Sequence, residues 1–442
     1  MSKTNHTKQK NPNIIYRAFL KCMGNEKWQP ISIPLFSILL SLIAASIIIL
    51  LIGKNPLQAF YNLLQGAGVL PKPVYAGYKN MFTDFLTMLN AMTPMLFAAL
   101  AVAVALKAGL FNIGVSGQML LAGYMATILL GYSDLNGIIA KPLVLIIGIV
   151  VGAIYGGIVG WLKYKFNINE VVSTIMFNYI VQYVLSFFIN SYYIDPVSRQ
   201  SKYIKDSARL TFMNVEFAGL KMDLSIGIIL ALITAFIIKF IVDKTRIGYE
   251  IKAVGVNPKA AKYAGINVGK NIVLAMVISG ALAGLAGVTY YLGYFASIQP
   301  KVLSSVGFDA IAVSLLGNGN PIGIIFSSFL ITVIDKGSTY MSSTAGVRQE
   351  IASVITGLIL LFSACGTFIK YKIERGKEKC FEASKINSHE DSTVNSTNVE
   401  DTENLKKAVE KDSLLREMDG NGSKETKESI LKEENERKEG EE

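Results

Sequence analysis

The chain has 442 residues, of which 51% are hydrophobic and 17% are charged, and its formal net charge is +10. A soluble protein carries about 25% charged residues, so this composition argues against a soluble enzyme. Residues 1–370 carry 29 basic and 13 acidic side chains, whereas residues 371–442 have a net charge of −6. The basic residues lie between long apolar segments, where they orient membrane spans, so we do not expect nucleic-acid binding.

Eight segments are long and apolar enough to cross a bilayer, which takes about 20 residues. They are residues 31–52, 85–106, 110–130, 142–162, 171–189, 224–242, 272–292 and 351–369. Six Lys or Arg residues precede the first segment without a small-residue cleavage site, so we expect it to be a retained span and not a signal peptide.

The distribution of Lys and Arg among the loops predicts the orientation. The basic segment 1–30 is expected in the cytoplasm, together with the loops at Lys107, at Lys163 and Lys165, and at 243–270. The long loop 191–223 is then expected outside. Both termini are predicted to be cytoplasmic.

The sequence Gly317-Asn318-Gly319-Asn320-Pro321 interrupts the apolar stretch 308–334, and such a sequence ends a helix. We expect two short helices or a broken pair here, facing the bundle interior, because irregular backbone at membrane depth must be shielded from lipid. The count becomes about ten. The predicted fold is an all-α polytopic membrane protein, some of whose helices are short or broken. We expect an inverted repeat of two five-helix halves.

The composition changes abruptly after the last span. We divide the chain into the basic segment 1–30, a transmembrane domain 31–370 and a charged cytoplasmic tail 371–442, which we expect to be disordered.

A short helix is predicted in the cytoplasmic loop 243–270. Asn257 is a good N-cap, Pro258 suits the first helical position, and Gly265 suits the position after a helix end. Such a helix either rests on lipid headgroups or transmits movement to an ATPase.

Polar side chains within the apolar spans are candidates for a solute path. Amides both donate and accept hydrogen bonds, which suits a hydroxylated solute, but the same residues also serve helix–helix hydrogen bonds. Glu170 lies three residues after Asn167, a spacing typical of helix capping. The path candidates are Asn112, Ser116, Gln118, Asn178, Asp309 and Asn318.

Residues for catalysis or metal binding are sparse. The cysteines Cys22, Cys365 and Cys380 form no CxxC pair, and His6 and His389 lie in the terminal segments. The phosphate-binding pattern GxxxxGK[ST] is absent from the sequence. We therefore expect a protein that is not an enzyme, with no metal and no cofactor of its own.

Five stretches in order resemble the permease subunits of the branched-chain amino acid/ribose class of ABC importers, most closely the nucleoside branch. They are GLFNIGVSGQ at 109–118, NEVVSTIMFNYI at 169–180, AVGVNPKAAKYAGI at 253–266, SGALAGLAGV at 279–288 and GFDAIAVSLLGNGNPIG at 307–323.

This resemblance implies a pore of two permease subunits, identical or paralogous, in the bacterial plasma membrane. It further implies a separate ABC ATPase that binds the ATP, a lipid-anchored solute-binding protein outside, and a nucleoside as solute, purine nucleosides foremost. The loop helix would be the ATPase-coupling element, with Gly255, Asn257, Pro258, Ala261, Tyr263, Ala264 and Gly265. Members of the branch usually carry a glutamate where this chain has Ser116, a departure that leaves the exact solute open.

Other functions remain as alternatives. A pentose or branched-chain amino acids could be the solute of an ABC permease. An ion-coupled secondary transporter would show ionisable residues inside its spans. We expect few of these here, which favours the ABC permease.

Overall fold

A computed structural model describes residues 29–376 apart from 76, 218–219, 367 and 369. One compact unit extends over Asn25–Lys370. The second unit, Met1–Gly24 with Tyr371–Glu442, lies outside the described residues except for 371–376. The predictions for the N-terminal segment and the tail therefore fall almost wholly outside the described residues.

The described residues form helices and one β-hairpin. The helices are α1 (Gln29–Leu51), α2 (Pro56–Gly66), α3 (Met81–Lys107), α4 (Val115–Ala126), α5 (Gly137–Phe166), α6 (Glu170–Phe188), α7 (Ile226–Lys244), α8 (Arg246–Val256), α9 (Pro258–Tyr263), α10 (Val268–Val288), α11 (Val306–Leu316), α12 (Pro321–Ala345) and α13 (Glu350–Ala364). One wider π-helical turn extends each of α4, α6 and α10, at Thr127–Gly131, Ile189–Tyr193 and Thr289–Tyr294. A 3₁₀ turn, Asp206–Ala208, precedes the antiparallel strands β1 (Thr211–Phe217) and β2 (Leu220–Ser225).

Seven of these helices are long and apolar enough to cross a membrane, within the part of the chain that the structure describes. They are α1, α3, α5, α6, α7, α10 and α12, and α4, α11 and α13 are shorter apolar helices. The seven long helices and the three shorter ones together confirm the expected count of about ten among the described residues. The chain breaks between α11 and α12 as expected, but the prediction that both are short is wrong, because α12 has 25 residues.

The bundle has two distinct ends. At the first, which we call the basic end, the carbonyl of Lys107 lies against Gly255, the ring of Tyr164 lies against Gly269, and Lys163 pairs with Glu170 at 2.8 Å. At the other, the strand end, Leu210 beside β1 donates its N–H to the carbonyl of Leu292. The spans run between these ends.

Helices α3–α6 and α10–α13 form two related sets. In each set a long span leads through an irregular loop to a short apolar helix, which contacts the next two helices. Each long span also packs on the short helix of the other set. Spans α3 and α10 run antiparallel, because Ser279 donates to the carbonyl of Ala101 while Thr93 and Thr289 meet beside Gly227. This pattern is an inverted repeat, with α1 and α7 as the remaining helices of the two expected halves.

The tightest helix pair is α5 with α10, and glycines make it possible. Glycines at 148, 152, 156 and 160 repeat every four residues along one face of α5. A Cβ added at Gly152 would lie 2.1 Å from the carbonyl oxygen of Gly280, and one at Gly284 would lie 1.9 Å from that of Gly148. Small residues thus let the two backbones touch, as they do in membrane helix packing generally.

Three elements were not predicted from the sequence. Helix α2 is short and packs on α12, where the carbonyl of Leu63 lies against Gly337. The β-hairpin covers the strand end; it begins in the predicted external loop and ends at Ser225, just past that loop. Helix α8 lies in the predicted cytoplasmic loop. None of the three has an apolar run of membrane length, so the hydropathy criterion could not find them.

The α5–α10 contact predicts the effect of Gly152→Ala. The added methyl group overlaps the Gly280 carbonyl, so we expect a loss of about 1–3 kcal/mol in stability, as for an overpacked core. Thermal unfolding of the detergent-solubilised protein, followed by tryptophan fluorescence, should show a lower Tm. Gly357→Ala in α13 is the matched control, because its Cβ would meet nothing within 4 Å. An unchanged Tm for Gly152→Ala would contradict the close backbone contact.

Candidate functional site

Two interrupted spans meet at their N-termini inside the bundle. After α3 ends at the basic end, the chain turns back into the interior and α4 begins there; α11 begins in the interior after the loop 295–305 enters from the strand end. The Ser116 hydroxyl on α4 donates to the carbonyl oxygen of Ser304, 2.9 Å away, just before α11. A Cβ added at Gly307 would lie 2.3 Å from the Ser116 oxygen. The sequence motifs 109–118 and 307–323 are therefore in contact.

Asn112 holds the loop before α4 in place. Its Nδ2 donates to Gln118 Oε1 at 3.1 Å and to Ser279 Oγ at 2.9 Å, while its Oδ1 accepts from the Gly114 N–H. Asn112 and Gln118 are fully buried, with exposed fractions of 1% and 0%. The Nε2 of Gln118 has no partner among the described residues.

Asn178 on α6 supports the same loop from the other side. Its Oδ1 accepts from the Gly117 N–H at 2.9 Å and its Nδ2 donates to the Ile113 carbonyl at 3.0 Å. These bonds satisfy backbone groups that no helix satisfies, which is what irregular backbone at membrane depth requires. In this structure the amides bind protein, and their contact with a solute stays a prediction.

The structure gives Ser116 a packing role. The side chain is fully buried and lies against Gly307, so a glutamate at this position would not fit without moving α11 away from α4. Ser116, the position at which the sequence departs from the family pattern, thus lies at the close contact between the short helices α4 and α11.

The expectation that ionisable residues are nearly absent from the spans needs correction. Asp335 and Lys336 lie within α12, in the half nearer the strand end, and Asp309 in α11 lies close enough to Asp335 for their charges to interact. Lys336 Nζ is hydrogen-bonded to the hydroxyl of Tyr294, and it lies 4.1 Å from the centre of that ring. Sequence reasoning missed the pair because α12 as a whole still reads as apolar.

Asp335 is exposed on the surface of the single chain. A carboxylate at membrane depth costs about 2.5–3.5 kcal/mol even by the lower scales, so it is not expected to face lipid. This part of α12 therefore faces water or another protein chain. Asn318 is also exposed, in the turn before α12 at the basic end, with the backbone in the left-handed region at φ 53°.

The predicted loop helix is confirmed as α9. Asn257 Oδ1 accepts from the N–H groups of Lys259 and Ala260, at 3.0 and 3.1 Å, and Pro258 opens the helix. The chain leaves it through Ala264 and through Gly265, whose φ of +78° favours glycine.

The preceding helix α8 fixes α9 to the bundle. Glu250 accepts from Arg246 at 2.7 Å and from Asn271 of α10 at 2.9 Å. The hydrogen bonds from Asn271 and Arg246 hold the pKa of the Glu250 carboxyl below its usual range, so it stays charged at neutral pH. Gly255 allows α8 to touch the end of α3, because its Cβ would lie 2.2 Å from the Lys107 carbonyl oxygen.

Two apolar side chains project from this helical loop. Tyr263 is 93% exposed and Val256 is 88% exposed, whereas Ala261 is 4% exposed and packs inward. Both lie on the loop at the basic end, for which the sequence predicts contact with either lipid headgroups or an ATPase. Ala261 anchors the helix, so a substitution there would test packing and not docking.

Residues 85–364 match the family described as "Branched-chain amino acid transport system / permease component". The chain is 37% identical over 372 residues to the nucleoside ABC transporter permease protein NupB of Lactococcus lactis subsp. cremoris, covering 82% of this chain and 98% of that protein. It is 36% identical to the guanosine ABC transporter permease protein NupP of Bacillus subtilis, covering 78% and 97%. The galactose/methyl galactoside import permease protein MglC of Escherichia coli is 29% identical, covering 65% and 88%.

The hydrogen bonds of Asn178 predict that Asn178→Ala lowers stability. Each of the two backbone groups left unpaired costs about 1–3 kcal/mol. The Tm should fall, and limited proteolysis should become faster. Tyr183→Ala, an exposed position on the same helix, is the control and should change neither. Reduced solute uptake at full stability would instead make Asn178 a path residue.

Proposed function

This chain belongs to the family of branched-chain amino acid transport system permease components, and we propose that it forms the membrane path of an ABC importer for nucleosides. It is a multi-pass membrane protein. The observation that carries the solute class is that relatives named for nucleoside and guanosine transport are 36–37% identical and are covered almost from end to end. Purine nucleosides are the proposed main solutes.

The geometry supports a transport role without chemistry in this subunit. A path can open where α4 and α11 meet, because interrupted helices place rearrangeable backbone inside the bundle. The exposed Asp335 marks the face of α12 that borders water or a second permease subunit. ATP is proposed to bind to a partner subunit, with no cofactor on this chain.

The proposed partners follow from the two ends of the bundle. An ABC ATPase docks on Val256 at the end of α8 and on Tyr263 of α9, and an external solute-binding protein docks on the strand end. This requires the basic end and both termini to be cytoplasmic, in agreement with the Lys/Arg distribution. The second permease subunit is the same chain or a paralogue.

Pentose or branched-chain amino acid transport is a weaker proposal, since the sugar permease relative is only 29% identical over a smaller share of the chain. An ion-coupled transporter is weaker still. Asp309 and Asp335 would be its natural ion ligands, but the exposed side chains of Val256 and Tyr263 would then have no assigned partner.

Guanosine uptake tests the proposed function. Bacteria that lack this chain should lose uptake of radiolabelled guanosine, and restoring the chain should recover it. Excess adenosine or inosine should compete, whereas ribose and leucine should not. Uptake should stop on ATP depletion with the ion gradients kept intact.

Two outcomes would contradict this. Competition by ribose or leucine, with the restored protein present in the membrane, would move the solute class to those compounds. Continued uptake after ATP depletion would remove the ABC assignment.

Tyr263→Asp in α9 and Val256→Asp at the end of α8 test the coupling role of this loop. A new carboxylate buried against the ATPase costs more than about 1.4 kcal/mol, which is a tenfold loss of docking affinity. Co-purification of the ATPase and guanosine uptake should fall together. Tyr263→Phe is the matched control and should keep both. Normal uptake with either aspartate would place the ATPase contact elsewhere.

A further inference from the structure

A cleft of about 280 Å³ lies at the strand end, between the end of α10 and the loop that leads into α11. We call it the strand-end cleft. Its size is near the lower limit of small-molecule sites, about 300–1,000 Å³, which suits a solute of one or two rings. Its lining includes Gln200, Tyr290, Phe295, Ser297, Gln299 and Ser304.

Aromatic rings form one side of the cleft. Phe295 and Tyr290 lie 4.9 Å apart between ring centres, and the planes are tilted by 58°. Phe295 is 44% exposed, so its ring has no complete protein cover in the single chain. An exposed ring of this kind offers a face on which a flat heterocycle can stack.

Amides and hydroxyls form the other side. The Ser297 hydroxyl bonds with Oε1 of Gln200 at 2.5 Å, and Gln299 is exposed beside them. Amide and hydroxyl groups both donate and accept, which matches the hydroxyls of a ribose and the polar edge of a base. The cleft lining includes no Asp, Glu, Lys or Arg, so it suits a neutral solute.

Backbone bonds hold the cleft in shape. Ser201 and Ile204 donate their N–H groups to the carbonyls of Ile298 and Ala296, both at 2.9 Å. On the opposite side of the loop, the Lys301 N–H donates to Ser186 of α6 at 2.7 Å. The aromatic and polar sides are thus fixed relative to each other without a ligand.

The bottom of the cleft adjoins the contact between α4 and α11. Ser304 lines the cleft, and its carbonyl accepts the hydroxyl of Ser116. Tyr290, which also lines the cleft, is near enough to Asp309 and Asp335 for their charges to act on it. A solute in the cleft would therefore stand directly before the position at which the path has to open.

From these contacts we infer that the strand-end cleft is a nucleoside-binding site within the permease itself, occupied after release from the external protein and before α4 and α11 separate. The base stacks on Phe295, and the amides and hydroxyls meet the sugar. The inference rests on the proposed nucleoside transport.

The first test is uptake by Phe295→Ala. The external protein sets the apparent KM, so KM should be unchanged while the maximal rate falls about tenfold, because the ring on which the base stacks is lost. Phe295→Tyr should keep the rate. Tyr192→Ala, an exposed aromatic outside the cleft, is the control and should be normal.

The second test needs no external protein. Gln299→Cys is placed in a background with Ser at positions 22, 365 and 380, in the assembled transporter in lipid nanodiscs. Guanosine at millimolar concentration should slow its labelling by a charged thiol reagent, and ribose should not. Tyr192→Cys should be labelled at the same rate with and without guanosine.

The outcomes separate the two proposals. Normal transport by Phe295→Ala together with no protection of Gln299→Cys would overturn the cleft assignment and leave nucleoside transport standing. Protection by ribose as strong as by guanosine would overturn the stacking of a base. A wild-type chain that carries no nucleoside would refute the proposed function and the cleft assignment together.

Discussion

The structure depends on how backbone groups are satisfied where two helices begin inside an apolar bundle. A bilayer offers no water to an unpaired N–H or C=O, so every break in a span needs a partner from the protein. Asn112 and Asn178 supply these partners on both sides of the loop before α4, and Ser116 does so for the carbonyl before α11. Ser279 connects the network to α3 and α10. These polar residues allow the spans to be interrupted without leaving backbone groups unpaired in the membrane.

Close helix contacts at glycines, outside this hydrogen-bond network, also help to hold the loop before α4 in place. Because α5 and α10 touch through Gly152 and Gly280, α10 is held firmly enough to present Ser279 to the loop before α4. At the basic end the lack of a side chain at Gly255 lets α8 contact the end of α3, and Glu250 links α8 to α10. A movement imposed on α9 from outside thus reaches α3 and α10, the two spans that lead into the half-helices. The proposed ATPase contact and the proposed solute path are therefore connected through closely packed helices.

The sequence predicts the spans well because their apolar length is a direct requirement of the bilayer, and it predicts α9 because Asn257, Pro258 and Gly265 act locally. It could not predict α2 or the hairpin, whose stability comes from neighbours distant in sequence. Nor could it decide between solute contact and packing for Asn112 and Asn178, since both uses need buried amides. Asp335 and Lys336 escaped notice because two charges do not cancel the apolar character of α12.

The meeting of α4 and α11 has an electrical consequence. Each helix N-terminus carries roughly half a positive elementary charge, and here two such ends face each other in a medium of low dielectric constant. Asp309 lies in the first turn of α11, so its carboxylate offsets part of the positive end of that helix. The field that remains acts strongly on an ion but only weakly on a neutral solute. The contact between α4 and α11 therefore suits the passage of an uncharged cargo.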